Sequence, residues 1–532
     1  MMTLQPTVLV TDQINQRAID ILAPHCHVIN KPKLTHDELL ALVPTVDALL
    51  VRSASTVSAD VFKAAPNLQI VGRAGVGVDN IDLTAANEHG VIVVNSPEGN
   101  TVAAAEHTVG LLFALSRHIA RGDASLKQGQ WDRKALTGIE LYNKTLGLIG
   151  LGKIGSRVAS IAKATGMKVL VYDPFVSPSV VEEMGATLVT LPQLLEKSDY
   201  ITVHVPKTKE TTNLLNKETL KQCKKGVRLI NCARGGIINE QDLAEALRSG
   251  HVAGAALDVF EVEPLPLDHP LLADDLRDKL LITPHLGAST EEAQINVALD
   301  VAEQVVDYFQ QGTVRAAVNL PIMRAAVLDP VKPFMPLAEV LGKLARQVLG
   351  GVIQRVELVV KGDLAEKNIA PLSLAVLKGL LSVNREGVTF VNAQHLAKVQ
   401  GIDVQESKSN AKGTFSDLIT VVVENQQGQR THLSGVMMAT DVMRIVDIDG
   451  FKTSLKPTAH VLLCPHEDKP GMVAKIGAVL GDNAINIAAL QVGKHSDGNS
   501  LMIFNLDSPV NEAVLQQIEA LEGFTNPVAI AL

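Results

Sequence analysis

The segment that most narrows what this chain can fold into is Gly150-Leu-Gly152-Lys153-Ile154-Gly155. It follows a short apolar run, LGLIG (146–150), and opens the helical pattern SRVASIAKA. Gly150 permits a tight strand-to-helix turn, Gly152 lets the backbone approach a pyrophosphate, and Gly155 lets helix and strand pack closely. The next strand-like run, KVLVYD (168–173), ends in Asp173, about 20 residues further on. A carboxylate there accepts a hydrogen bond from a ribose 2′-OH and repels a 2′-phosphate, so NAD is expected rather than NADP. A tight turn with no ligand is the alternative. The strand, the helix and the acid together favour the dinucleotide.

Around this loop, β-branched runs alternate with helical patterns through the first 300 residues or so. VLV (8–10), ALLVR (48–52), IVGRAG (70–75) and VIVVN (91–95) form one strand series. LGLIG, KVLVYD, YITVHVP (200–206), GVRLINCA (226–233), AGAALDVF (253–260) and LLITPH (280–285) form a second. Such alternation predicts two doubly wound parallel sheets in an α/β fold. A long helix is predicted over 101–120. Another, over 289–311, returns the chain to the first sheet, with Gly312 as C-cap. Beyond VNLPIM (318–323) the pattern changes to an α+β mixture, with QESKSNAKG (405–413) read as a loop. The last segment reads β-α-β-β-α-β, a ferredoxin-like unit. The expected division is 1–99 completed by 287–320, then 100–286, 321–455 and 459–532.

Length and composition fit this reading. A chain of 532 residues is too long for one core. Its net charge of -9, without a basic block, argues against nucleic acid as the main partner. Cys26, Cys223, Cys232 and Cys464 are scattered, with no CxxC pair and no zinc-like spacing, so no metal site is expected. No apolar run has the length of a membrane span, and the N-terminus lacks signal-peptide features. A reduced, cytoplasmic protein is the expectation.

Parallel sheets gather ligands at the carboxyl ends of their strands, and three residue types stand there. Arg234, in NCARGG (231–236), can bind a substrate carboxylate through two parallel hydrogen bonds and polarise an adjacent carbonyl. His285, in ITPHLGAST (282–290), can take a hydroxyl proton while hydride leaves the same carbon. Glu263, in DVFEVEP (258–264), is a carboxylate that can fix the tautomer of that imidazole. A histidine at a strand end is often only a capping or core residue, but Arg, Glu and His after three strands of one nucleotide domain favour chemistry. Arg52 and Arg73, each beside small residues, can bind a phosphate or carboxylate, or stand as solvated arginines.

With GLGKIG, NCARGG, Glu263-Pro264 and PHLGAST in place, the chain resembles the D-isomer-specific 2-hydroxyacid dehydrogenase family. GRAGVGVDNID (72–82), NSPEGNTVAAAEH (95–107) and QGQWDRKALTG (128–138) match its long-form branch. So do VNAQHLAKVQGIDVQESKS (391–409), which is similar to an intervening allosteric domain, and HEDKPGMVAKIG (466–477) with INI (485–487), which resembles an ACT regulatory domain. The resemblance implies a Rossmann-type nucleotide domain inserted in a flavodoxin-like substrate domain. It implies NAD-dependent oxidation of 3-phospho-D-glycerate to 3-phosphohydroxypyruvate, the first step of L-serine synthesis, with Arg234, Glu263 and His285 as the catalytic set. It further places Lys153, Ile154, Val205, Cys232, Ala233, Asp258, Gly287 and Ala288 on the cofactor, together with Arg234 and His285. Arg52, Ser53, Arg73, Gly75, Asn100 and Thr101 fall on substrate positions, and Arg133 where a neighbouring subunit reaches the phosphate. His466, Asp468 and Asn486 fall where ACT domains grip an amino acid, here L-serine. A homo-oligomer is implied, a dimer through the nucleotide domain or a tetramer.

Two rival functions stay open at this point. One is a 2-hydroxyacid dehydrogenase for glyoxylate, hydroxypyruvate or lactate, which needs less positive charge than Arg52 and Arg73 provide. The other is an NAD-sensing protein without turnover, which has no use for Arg234, Glu263 and His285 together.

Overall fold

A computed structural model describes residues 5–320, 325–411, 413–439, 442–495 and 498–532. Among these residues the strands assemble into four sheets. The first is wholly parallel, in the order His27–Asn30, Thr7–Val10, Ala48–Val51, Ile70–Arg73, Ile92–Asn95. The second is also parallel, in the order Leu280–Ile282, Val252–Leu257, Val227–Asn231, Tyr200–Val203, Thr145–Ile149, Lys168–Tyr172, Thr187–Leu188. Runs such as ALLV and YITV are buried at every position because helices cover both sheet faces. The strand order of the second sheet reverses between Thr145–Ile149 and Tyr200–Val203, the switch point where ligands bind in open α/β sheets.

The chain crosses between these sheets twice. It leaves the first through helix Thr101–Arg117 and returns through helix Glu291–Gln311. The returning helix lies directly on the first sheet: a Cβ at Gly72 would sit 2.4 Å from Val301 Cγ1. As predicted, Gly312 ends this helix in a left-handed conformation.

The third sheet is mixed, in the order Asp403–Ser409, Ile353–Gly362, Asp417–Asn425, Arg430–Ala439, Val442–Ile448, Phe451–Leu455, with only its first pair parallel. Helices Met335–Val348 and Ala370–Ser382 pack with reciprocal glycines. A Cβ at Gly342 would lie 2.1 Å from the Val376 carbonyl oxygen, and one at Gly379 would lie 2.0 Å from that of Glu339. The fourth sheet is antiparallel, in the order Ile487–Lys494, Asn499–Leu506, His460–Glu467, Val528–Ala531, the ferredoxin-like order. Helices Met472–Asp482 and Glu512–Glu519 cover one face. The other face, through Val461, Leu463, Leu501 and Ile503, shares a core with Leu337, Leu341 and Leu344 of helix Met335–Val348. Gln347 caps one sheet edge with two hydrogen bonds to Ala531, and Gln491 binds both backbone groups of Ser454 at the other.

Several expectations need correction. The helix predicted over 101–120 breaks at His118, which is left-handed (φ 52°), and a second helix runs Ile119–Lys127. The segment read as a loop at 405–413 is largely strand Asp403–Ser409. Its residues are mostly exposed on both faces because it is a sheet edge, so no apolar alternation marks it. His27–Asn30, Thr187–Leu188 and the three strands from 430 to 455 had no strand assigned from the pattern. The first two are short edge strands. The boundary expected at 321 lies outside the described residues. Among the described residues no helix is long and apolar enough to cross a membrane.

The glycine contacts give a test by sign. Helix propensity alone predicts that Gly342→Ala stabilises by about 1 kcal/mol. A methyl 2.1 Å from a carbonyl oxygen must instead push the helices apart, at a cost of ~1–3 kcal/mol. The variant is therefore expected to unfold at a lower temperature than the parent by calorimetry, and a higher temperature would contradict the packing.

Candidate active site

The glycine loop sits on the switch point of the second sheet. Gly150 has φ 94°, and a Cβ there would lie 2.6 Å from both the His204 carbonyl oxygen and Val205 Cγ1. A Cβ on Gly155 would sit 2.2 Å from the Gly150 carbonyl oxygen, so helix Lys153–Ala164 meets the strand end backbone to backbone. Nothing lies within 4 Å of where a Cβ on Gly152 would be. That open space above a helix N-terminus fits a pyrophosphate. Asp173 braces the loop: Oδ2 accepts from Leu151 N (2.8 Å) and Oδ1 from Phe175 N (2.8 Å). Lys153 Nζ pairs with Glu98 of the first sheet's unit across the mouth of the loop.

From this loop a cleft of ≈ 400 Å³ runs between the first two sheets. Ile154, Val205, Cys232, Ala233, Arg234, Asp258, His285, Gly287 and Ala288 line it from one side and Asn100 from the other. Burial pushes the Cys232 thiol up to about 12 and the His204 imidazole down to about 4, so both are neutral near pH 7. Neither supplies a thiolate or a charge to the cleft.

His285 and Glu263, 22 residues apart in the sequence, meet here as expected. His285 Nδ1 lies 2.7 Å from Glu263 Oε2, while Glu263 Oε1 accepts from Phe260 N (2.9 Å). With Nδ1 so committed, Nε2 is the nitrogen left for a substrate. His285 has φ 55°, a left-handed conformation costing roughly 1–3 kcal/mol in a residue with a side chain. It persists because the turn is over-determined by Asp258. The Asp258 carbonyl accepts from His285 N (2.8 Å), and its fully buried carboxylate accepts from Leu286 N (2.7 Å) and Gly287 N (2.8 Å). His285, Glu263 and Ser53 also line a second cavity of ≈ 500 Å³.

Arg234 reaches into the cleft from the turn after Val227–Asn231. Asn231 shapes that turn, accepting from Ala233 N (3.0 Å) and donating to the Arg234 carbonyl (2.9 Å). The guanidinium meets Asp79 at 3.2 Å and passes where a Cβ on Gly77 would be. Arg73 lies against Gly75, whose Cβ would fall 1.6 Å from Arg73 Nη1. Burial and then the Arg234 charge lower Arg73 to about 10, with Asp79 opposing and Arg52 adding to the repulsion. Arg73 Nε, Ser96 Oγ, Asn100 Oδ1 and Thr101 Oγ1 are buried without a partner among the described residues. Such groups each cost ~1–3 kcal/mol when unpaired, and they surround the carboxyl ends of Ile70–Arg73 and Ile92–Asn95. Arg52 borders a neighbouring cavity with Gln13, Asn15 and Gln294, its Nη1 donating to the Gln13 carbonyl (3.3 Å). Arg133 is exposed, next to Trp131 at 79% exposure.

The residues expected to grip an effector, His466, Asp468 and Asn486, are not brought together within one chain. His466 is buried, stacked on Phe524, with Nδ1 3.2 Å from the Cys464 carbonyl. Asp468 pairs with Lys494 (2.5 Å), and Asn486 donates to Asp507 (2.5 Å). The register puts these pairs at opposite ends of the fourth sheet, roughly 25 Å apart for an eight-residue strand. Sequence reasoning also passed over Ser96, Asp79, Thr283 and His107. All four lie inside the motifs quoted above, GRAGVGVDNID, NSPEGNTVAAAEH and ITPHLGAST, but nothing in those motifs singled them out.

This cleft, a dinucleotide loop facing a His–Glu pair and clustered arginines, defines an NAD-dependent D-2-hydroxyacid dehydrogenase. Residues 109–287 match the model for the D-isomer specific 2-hydroxyacid dehydrogenase NAD binding domain, 330–449 the D-3-phosphoglycerate dehydrogenase intervening domain, and 460–523 the ACT domain. The chain is 45% identical to D-3-phosphoglycerate dehydrogenase of Synechocystis sp. over 99% of its own length and 94% of that protein's. It is 42% identical to the Archaeoglobus fulgidus enzyme of that name, over 99% and 100%. An NAD+-bound 3-phosphoglycerate dehydrogenase structure from Entamoeba histolytica is similar at 28% identity and TM-score 0.50, over 59% of this chain and 98% of that one. The chain belongs to the D-3-phosphoglycerate dehydrogenase family.

Asp173 carries a prediction. Asp173→Ala removes the brace on the loop and, on the role expected from the sequence, the repulsion of a 2′-phosphate. The KM for NAD is expected to rise about tenfold, the loss of one charge-assisted hydrogen bond. The ratio of NAD to NADP efficiency should narrow. Unchanged discrimination in steady-state kinetics would contradict the assignment.

Proposed function

We propose that this chain oxidises 3-phospho-D-glycerate to 3-phosphohydroxypyruvate on the way to L-serine, and that a small-molecule effector acts through its ACT unit. The observation that carries the reading is the cationic cluster beside the His285–Glu263 pair. Arg234 and Arg73 crowd together, Arg52 stands near, and the buried Arg73 Nε has no partner among the described residues. An acid bearing a phosphate answers both the positive charge and the unpaired donors.

Bound in the glycine cradle, NAD supplies the acceptor of the hydride that leaves C2. His285 Nε2 takes the proton from the C2 hydroxyl as that carbon becomes a carbonyl. Glu263 holds the ring through Nδ1 and stabilises the imidazolium that results. Arg234 binds the substrate carboxylate and polarises the oxygen at C2, giving up its contact with Asp79. Arg73, with Ser96, Asn100 and Thr101, holds the far end of the substrate, and Ser53 and Arg52 close that side. The apolar side chains exposed on helices Thr101–Arg117 and Ile119–Lys127, namely Val102, Phe113, Ile119 and Leu126, together with Trp131, form the face for a second copy, whose Arg133 reaches the neighbouring phosphate.

Glu263→Gln is expected to lower kcat by about 100-fold with a smaller change in KM, the scale of general acid–base catalysis. Arg73→Ala is expected to raise the KM for 3-phosphohydroxypyruvate by about 30-fold, the scale of one charge-assisted contact of ~2 kcal/mol. Its effect on a phosphate-free 2-oxo acid should be smaller. Equal effects on both substrates would contradict the phosphate role.

Because Asp468 and Asn486 stand at opposite ends of one sheet, an effector gripped by both sits between two copies of the ACT unit. The deciding experiment follows NADH consumption with 3-phosphohydroxypyruvate while L-serine is titrated in. Turnover that falls with serine, and that Asp468→Ala renders insensitive, supports both parts. Turnover indifferent to serine keeps the reaction and removes serine as effector. A folded, NADH-binding protein without turnover sinks the reading.

A further inference from the structure

Both crossings between the first two sheets converge on Asp258. Its carboxylate is fully buried. Burial alone favours the neutral acid, but hydrogen bonds from His107, Thr283 and the amides of Leu286 and Gly287 reverse this and hold the group below the usual carboxylate range. His107 comes from helix Thr101–Arg117, the outgoing crossing. Thr283, Leu286 and Gly287 belong to the turn that begins the return. His107 Nε2 lies 3.2 Å from both Asp258 Oδ1 and Thr283 Oγ1, and Thr283 Oγ1 donates to Asp258 Oδ1 at 2.5 Å. The three side chains close a triangle. Among the described residues, His107 is the basic side chain paired with this carboxylate.

The triangle sits behind the strained residue of the site. His285 keeps φ 55° because its own N–H and the next two amides are held by Asp258. If the carboxylate rotates, the amides of Leu286 and Gly287 lose their acceptors and the turn can relax toward a negative φ. The ring would then leave Glu263. We propose that His107 is a positioning residue of the dehydrogenase site: its Nε2–H fixes the Asp258 carboxylate, which fixes the Thr283–Gly287 turn and thereby the ring of His285. This rests on the proposed role of His285 as the proton acceptor.

The test uses the full-length protein with His107→Leu, His107→Gln and Thr283→Val. Each is assayed for kcat, for both KM values, and for the kinetic isotope effect on reduction of 3-phosphohydroxypyruvate by NADH deuterated at the transferred position. A ring misplaced by a fraction of an ångström slows chemistry, so His107→Leu should lose about tenfold or more in kcat. Its KM for 3-phosphohydroxypyruvate should stay within about twofold, and its isotope effect should rise, because hydride transfer becomes more rate-limiting. His107→Gln places an amide N–H near the Nε2 position and should recover most of kcat. Wild-type kcat and isotope effect in His107→Leu overturn the proposal, as does equal impairment of the Leu and Gln variants. Should His107→Leu fail to fold, Thr283→Val carries the same expectation, and wild-type values there overturn it. Failure of the functional reading shows separately, as a parent protein that does not consume NADH with this substrate, and it overturns the proposal as well.

Discussion

One buried carboxylate ties together the two segments by which the chain crosses between the first two sheets. Asp258 accepts from four donors and so joins the outgoing helix at His107 to the returning turn at Leu286 and Gly287. A charge removed from water this completely is stable only with full hydrogen bonding, so the pairing cannot loosen piecemeal. The left-handed turn at His285 is held by the same residue, through its carbonyl and its carboxylate.

Around that anchor the site is built on an imbalance of charge. Burial, and then the nearby charges of Arg234 and Arg52, lower the proton affinity of Arg73, and Asp79 and Asp12 only partly offset them. Among the described residues, four buried polar atoms remain unpaired near the same strand ends. A protein interior does not leave such groups unsatisfied without a use for them. On the proposed function, a substrate phosphate answers the unpaired donors Arg73 Nε, Ser96 Oγ and Thr101 Oγ1. Further along, the ACT sheet shares its core with helix Met335–Val348, so a change in the ACT unit meets the third sheet through packed side chains rather than through a flexible linker.

Much of this was legible in the residues. GLGKIG before a helix, followed by Asp173 at the next strand end, carries the nucleotide loop in local chemistry alone. The burial of both faces of the parallel strands is written in their continuous Val, Ile and Leu runs. The pairing of Glu263 with His285 was expected on chemical grounds, and the 2.7 Å contact could come only from the fold. Other features left no local trace. His107 lies on a helix far from Asp258 in sequence, and its role depends on where two crossings meet. The edge strand Asp403–Ser409 is polar on both faces, so it reads as a loop until the neighbouring strand Ile353–Gly362 is placed beside it. The break at His118 has no glycine or proline to announce it. The residues expected to hold an effector, His466 to Asn486, look like one cluster in sequence, but the register of the fourth sheet sends Asp468 and Asn486 to opposite ends.

The central claim is that the cationic end of the cleft exists for a phosphate. The most direct measurement is the ratio of kcat/KM for 3-phosphohydroxypyruvate to that for hydroxypyruvate, which differs only by the phosphoryl group, on the unmodified protein at low ionic strength. Two charge-assisted contacts of ~2 kcal/mol each predict a preference on the order of 1,000-fold, shrinking as salt is added. Comparable efficiencies for the two acids would contradict the account and leave a 2-hydroxyacid dehydrogenase of another specificity.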